Sequence, residues 1–252
     1  MLNVDYTGQR ILITGGTRGI GLNLAQCILS FGGSVVITGT SKQSCDTALS
    51  ELNKESVIGS VEASIVDFTD KGSLKAFINS EVFTIGFDVL VNNAGSNVIK
   101  PFETFTDEDY EFLMDLNVRA PWELSKAVMP HMKAQGYGRI VNIASIWGVI
   151  TKPHRALYTS TKHAIVGLTK TLAVEFGAAG ILTNAVSPGF TLTDLTRQSL
   201  SDDEMIDLSA KIPTNRMAEP VEISRTIAFL GSQMNSYING QNITVDGGFS
   251  II

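Results

Sequence analysis

Tyr158 and Lys162 stand four residues apart in the pentapeptide YTSTK. Both side chains titrate near pH 10 or above when unperturbed, so neither is an obvious acid or base at neutral pH. On a helix, however, positions i and i+4 share a face. An ammonium beside a phenol favours the phenolate and lowers the phenol's pKa. The pair would then be a proton donor and acceptor usable near neutrality. A surface pair on an amphipathic helix has the same spacing, so the pentapeptide needs company. Ser145 ends the apolar run GRIVNIAS at 138–145, shortly before the tyrosine. Its hydroxyl could donate a hydrogen bond to a substrate oxygen.

A second constellation lies near the start of the chain. TGGTRGIG at 14–21 follows the run RILIT and opens a helical segment. Gly15, Gly19 and Gly21 permit a tight turn and a close approach of backbone to a pyrophosphate at a helix N-terminus. Thr17, Arg18 and Ile20 share that loop. A glycine-rich turn alone is a weak signal, but between a first strand and a first helix it favours dinucleotide binding. An NAD site of this kind places an acid about 20 residues further on, at the end of the second strand, to hold the ribose 2′-hydroxyl. Here that place reads TGTSK at 38–42 and holds no carboxylate. The hydroxyls of Thr40 and Ser41 and the cation of Arg18 suit a 2′-phosphate, so NADP(H) is expected over NAD(H). NNAG at 92–95 ends a fourth run: Asn93 can fix a turn, and Ala94 and Gly95 leave room for a ribose.

Elements of alternating type must position these residues. β-branched runs at 10–14, 34–38, 63–67, 87–93, 138–145 and 181–188 alternate with helical segments near 20–31, 42–54, 71–83, 107–135 and 157–177. A last helix follows Pro220, a residue suited to a first helical turn, and NITVDGG at 242–248 supplies a seventh strand. The pattern predicts an α/β fold, a Rossmann-type doubly wound parallel seven-stranded sheet with helices on both faces. Residues 1–252 read as a single domain. The excursion at about 189–219 reads as a substrate lid. Its acidic SDDE fits a helix N-terminus better than a metal site.

Composition excludes several partners. The chain has 252 residues and a formal charge of −6. Acidity without basic runs argues against nucleic acid and anionic membranes. Charged residues are 17 % of the chain, below the usual ~25 %, which points to surface buried between subunits. Cys27 and Cys45 lack metal or redox spacing. His131 and His163 have no metal-ligand company, so no metal is expected. No apolar run approaches the ~18 residues of a membrane span. The N-terminus is too polar for a signal peptide, and a cytoplasmic setting is expected.

Taken together these residues resemble the classical short-chain dehydrogenase/reductase family, over almost the whole chain. The resemblance rests on the glycine motif, NNAG, Asn117 in MDLNVRAP, Ser145, Tyr158 with Lys162, and SPG at 187–189. It implies that Asn117, Ser145, Tyr158 and Lys162 form a catalytic tetrad, and that Tyr158 passes a proton while Lys162 also binds the nicotinamide ribose. It implies that Asp67 and Phe68 border the adenine, and that Pro188, Gly189, Thr191 and Thr193 border the nicotinamide. The chain is most similar in flavour to 3-oxoacyl-carrier-protein reductases, which implies reduction of a 3-oxoacyl thioester or similar small carbonyl. A sugar or polyol dehydrogenase, or an enzyme of another biosynthetic step, is the alternative. A non-catalytic nucleotide-binding protein fits less well, because all four tetrad residues are present. The resemblance also implies a homotetramer. Trp147, His154 and Arg155 precede the tyrosine and should meet substrate. An acidic carrier protein would want basic residues at the cleft mouth, and the second half of TLAVEFGAAG offers none.

Overall fold

The computed structural model describes residues 4–54, 58–193, 196–197 and 201–252. Seven parallel strands form one sheet in the order β3-β2-β1-β4-β5-β6-β7. They are β1 (Arg10–Ile13), β2 (Ser34–Gly39), β3 (Ser60–Ile65), β4 (Val89–Asn92), β5 (Gly138–Ile143), β6 (Ile181–Pro188) and β7 (Asn242–Val245). The chain winds outward from β1 to β3, returns to lay β4 on the other side of β1, and winds outward again. The order therefore reverses between β1 and β4, and a crevice opens beyond their carboxyl ends.

Alternation along the strands feeds two cores. Ile11, Ile13, Val35, Ile37, Val89 and Val91 face one side of the sheet. There they meet α1 (Gly19–Ser30), α2 (Lys42–Leu52) and α9 (Pro220–Gly231) through residues such as Leu24, Ile28, Leu52, Ile223 and Ile227. Leu12, Val36, Leu90 and Ile140 face the other side. Their partners are α3 (Lys71–Ile78), α4 (Glu81–Thr84), α6 (Ala120–Gln135) and α7 (Ala156–Phe176). Apolar faces on both sides explain why β4 and β5 are buried at every position.

Three boundaries differ from the sequence reading. β3 begins at Ser60 rather than 63, because it pairs in register with β2 from Ser34 onward. As an edge strand it alternates exposed and half-buried residues, so apolar continuity does not mark it. The helix read over 71–83 breaks at Asn79 and Ser80, where the Ser80 hydroxyl caps α4 by accepting from Phe83 N–H. The helix read over 107–135 is α5 (Asp107–Met114) and α6 joined by a π-helical turn, Asp115–Arg119. Pro121 accounts for that turn. It has no N–H to offer the Asn117 carbonyl four residues earlier, and the Ala120 N–H reaches back five residues to Asp115 instead. Such bulges often mark functional positions, and this one carries Asn117.

In the segment read as a lid, α8 (Asp202–Ser209) starts with a capping box between Ser201 and Glu204. That fits the reading of SDDE as a helix N-terminus. Residues 194–195 and 198–200 of that segment lie outside the described residues. Among the described residues no helix is long and apolar enough to cross a membrane, and no side-chain cluster could hold a metal ion.

Candidate active site

The glycine loop joins β1 to α1 and is tied to the end of β4 by Thr14. The Thr14 hydroxyl accepts from the N–H groups of Asn93 and Ala94, both at 2.9 Å. The Asn93 amide donates back to the carbonyls of Thr14 (2.8 Å) and Gly15 (3.0 Å). Gly15 takes φ +63°, and a Cβ on it would stand 3.0 Å from Ala94 Cα. A Cβ on Gly21 would strike the Gly15 carbonyl at 2.5 Å. Any side chain at these two glycines would displace the loop from NNAG. The cleft beyond is lined by the loop, by Thr38, Gly39 and Thr40 at the end of β2, by Asp67 and Phe68 after β3, and by Asn93, Ala94 and Gly95. Arg18 lines it too, exposed and with no side-chain bond to the helix it precedes. These donors, glycines and cation fit a dinucleotide. The lining carboxylate, Asp67, is held below the usual carboxylate range, chiefly by hydrogen bonds from Thr69.

A second hollow continues from the first, lined by Ser145, Trp147, Tyr158, Lys162, Gly95 and the stretch Pro188–Thr191 with Thr193. Ser145 is buried just past β5, and its Oγ accepts from the Trp147 N–H at 3.2 Å. Tyr158 sits in the first turn of α7, and Lys162 lies one turn on, its Nζ 5.5 Å from the centre of the Tyr158 ring. That Nζ donates to the Ile143 carbonyl at 2.8 Å. Burial lowers the Lys162 ammonium to about 8. Burial also raises the Tyr158 phenol, opposed by a hydrogen bond with Ser145 and by the charge of Arg155. The sequence pointed to Lys162 as a cation beside this phenol; in the structure Arg155 is a further cation that acts on it. Asn117 is buried in its π-helical turn. Its amide donates to Ser96 O (2.9 Å) and Thr161 Oγ1 (3.1 Å), and its Oδ1 accepts from Ser96 N–H (3.0 Å).

A family model described as enoyl-(acyl carrier protein) reductase matches residues 15–250. The chain belongs to the short-chain dehydrogenase/reductase family. It is 36 % identical to gluconate 5-dehydrogenase of Gluconobacter oxydans, over 98 % of this chain and 96 % of that protein. It is 32 % identical to the 3-oxoacyl-[acyl-carrier-protein] reductase FabG of Escherichia coli, over 99 % of this chain and 100 % of that one. A crystal structure of a gluconate 5-dehydrogenase from Burkholderia cenocepacia, in complex with NADP and tartrate, superposes with a TM-score of 0.89 at 30 % identity. That match covers 99 % of this chain and 98 % of the other. The protein is thus an oxidoreductase of this family.

Within the family frame, most of the residues singled out in the sequence come together around one continuous crevice. Ser41, Asn117, His154 and Arg155 do not line it, though Asn117 is bonded to Ser96 on its wall and Arg155 lies against the Trp147 ring. The Ser41 hydroxyl caps α2, accepting from Ser44 N–H at 3.2 Å. His154 is exposed on the loop before α7 with φ +67°. Sequence reasoning passed over Thr14 and Thr161, which hold the glycine loop and Asn117. Thr14 was legible as the last residue before the first glycine. Nothing in the order of residues marks Thr161, whose partner lies 44 residues away.

Proposed function

We propose that this enzyme interconverts a ketone and a secondary alcohol using NADP(H). The observation carrying this reading is the convergence of Ser145, Tyr158 and Lys162 on one hollow that opens into the glycine-loop cleft. Arg18 and Thr40 would hold the 2′-phosphate, Asp67 and Phe68 the adenine, and Pro188 to Thr193 the nicotinamide. The NADP in the Burkholderia relative supports that choice. When bound, the nicotinamide supplies or accepts the hydride. The Ser145 hydroxyl donates to the substrate oxygen and polarises the carbonyl. Tyr158 gives that oxygen its proton in reduction and takes it back in oxidation. Lys162 binds the ribose hydroxyls and passes protons toward the Asn117 side of the site. The segment 189–219 would close over the substrate, its Phe190 and Thr191 already lining the hollow.

Two substrate classes compete. A 3-oxoacyl thioester is supported by similarity to FabG, and a sugar or polyol by similarity to gluconate 5-dehydrogenase. The two similarities support the classes equally. NADPH consumption across acyl thioesters, keto sugars and cyclic ketones tests the function. Binding of NADPH without oxidation by any ketone would leave a nucleotide-binding protein in its place.

The pH dependence follows from the two buried groups. The raised Tyr158 pKa keeps the phenol protonated, and so competent as a donor, throughout the neutral range. The Lys162 ammonium, lowered to about 8, loses its charge first. In the reductive direction kcat/KM is expected to be level up to about pH 8 and to fall above it. Lys162→Met should lie lower and lack that limb. A wild-type profile level to pH 10 would show that the lysine charge is not needed.

The assembly proposed is a homotetramer packed through the helices at 107–135 and 157–177. Tyr110, Trp122 and Val174 on these helices are 53 %, 56 % and 85 % exposed in the single chain, and such packing would cover them. Light scattering should give four times the chain mass at micromolar concentration; a stable monomer would refute the packing.

A further inference from the structure

Arg155 immediately precedes α7, three residues before Tyr158. Its Nε and Nη1 are buried and have no hydrogen-bond partner. Its guanidinium lies 5.9 Å from the centre of the Trp147 ring, and the Lys152 ammonium lies 5.2 Å from the same ring. Burial and the neighbouring charges of Arg155 and Lys211 hold the Lys152 ammonium below its ordinary value. Among the described residues none of these three cations is in an ion pair. Two like charges, Lys152 and Arg155, thus flank the Trp147 ring that lines the catalytic hollow, in a chain whose net charge is −6.

Buried guanidinium nitrogens without acceptors are costly, and so are like charges held together. The buried Arg139 has an unpartnered Nε too, but its two terminal nitrogens donate to the carbonyls of Gly138, Gly180 and Asn235. Arg155 has no such set. What it lacks is an anion, and a planar carboxylate matches its fork. The location sets the reach. Trp147 follows Ser145 by two residues, its N–H bonded to the Ser145 hydroxyl, and the Arg155 charge acts on the Tyr158 phenol. An anion at Arg155 would lie beside Trp147, which lines the hollow together with Ser145 and Tyr158. Trp147 and Phe190, in edge-to-face contact at 6.2 Å, form an aromatic wall of that hollow.

We propose that Arg155, supported by Lys152 across the Trp147 ring, binds a carboxylate of the substrate, so that the enzyme acts on a short oxo or hydroxy acid rather than a neutral carbonyl compound. This rests on the ketone–alcohol reading above and narrows it. The test pairs acids with their uncharged amides: gluconate with gluconamide, tartrate with tartramide, acetoacetate with acetoacetamide. For each pair, kcat/KM is measured with the appropriate NADP form on wild type, Arg155→Met and Arg155→Lys. Binding to the NADP-saturated protein, followed by tryptophan fluorescence, serves for pairs that are not turned over.

For at least one pair the wild type should favour the acid by tenfold or more. Arg155→Met should raise KM for the acid by about ten- to a hundredfold more than it raises KM for the amide; Arg155→Lys should restore part of the preference. Acid and amide equal in every pair, turnover confined to neutral ketones or thioesters, or equal losses for acid and amide in Arg155→Met would each overturn the proposal. The last result would make Arg155 a positioning residue for Tyr158 alone. Turnover of neutral ketones that still depends on Tyr158 would sink this inference and leave the ketone–alcohol reading standing.

Discussion

Tyr158→Phe is expected to lower kcat by about 10²–10⁴-fold, the range for losing a general acid, while leaving the fold and NADPH binding in place. The substitution keeps the ring that packs at the start of α7 and removes only the hydroxyl. The structural loss is at most one interaction of that hydroxyl with Ser145, and Ser145 keeps its bond from the Trp147 N–H. A single neutral hydrogen bond contributes about 0.5–1.5 kcal/mol, so the melting temperature should move by only a few degrees. The chemical loss is larger. Without the phenol, no other side chain that lines the hollow is placed to protonate the oxygen held by Ser145. The Lys162 ammonium donates to the Ile143 carbonyl at 2.8 Å. Single-turnover kinetics, a thermal melt and a cofactor titration separate the two effects. A folded variant that binds NADPH and turns over within threefold of wild type would remove Tyr158 from the mechanism.

Much of this arrangement was legible in the residue order because it is built from local rules. The seven strands were visible where both faces are buried, as in β4 and β5, since a strand covered on both sides reads as an unbroken apolar run. β3 was misplaced for the converse reason: it is an edge strand whose exposure alternates. The spacing of Tyr158 and Lys162 announced a shared helical face. It could not announce the depth of that face, and depth is what lowers the lysine and raises the tyrosine. Nor could spacing show that Arg155 also acts on the phenol, because helix start and loop backbone together decide where that side chain goes. Asn117 was visible only through resemblance. Its physical cause was nonetheless in plain sight, since Pro121 four residues on denies its carbonyl a helical partner. The hydroxyls of Thr14 and Thr161 act across strands and helices, and no local pattern encodes such partners.

Wild-type enzyme is expected to prefer NADPH over NADH by about ten- to a thousandfold, and two substitutions should shift that ratio in a defined way. The end of β2 offers Gly39 and Thr40, and no acid stands there to repel a 2′-phosphate. The structure also shows why position 39 is closed to one. A Cβ on Gly39 would meet Thr17 Cγ2 at 2.6 Å and Cys45 Sγ at 2.9 Å, so the glycine loop packs directly over it. Thr40, by contrast, is exposed and lines the cleft beside Arg18. A charge-assisted hydrogen bond contributes roughly 1.5–3 kcal/mol, and about 1.4 kcal/mol is a factor of ten. One bond from Arg18 and one from the Thr40 hydroxyl, reduced by solvent at an exposed site, cover the expected range. Arg18→Ala should therefore weaken NADPH by about tenfold or more and NADH by much less, since only the first carries the phosphate. Thr40→Asp should weaken NADPH more sharply, because it removes a donor and adds a like charge, and should leave NADH unchanged or improved by a bond to its 2′-hydroxyl. Titrating both cofactors against the three proteins at low and high salt decides the matter: the NADPH advantage should shrink as salt rises, as an exposed charge pair must. Equal weakening of both cofactors by Arg18→Ala would assign that arginine to the pyrophosphate and leave the 2′-phosphate without its cation.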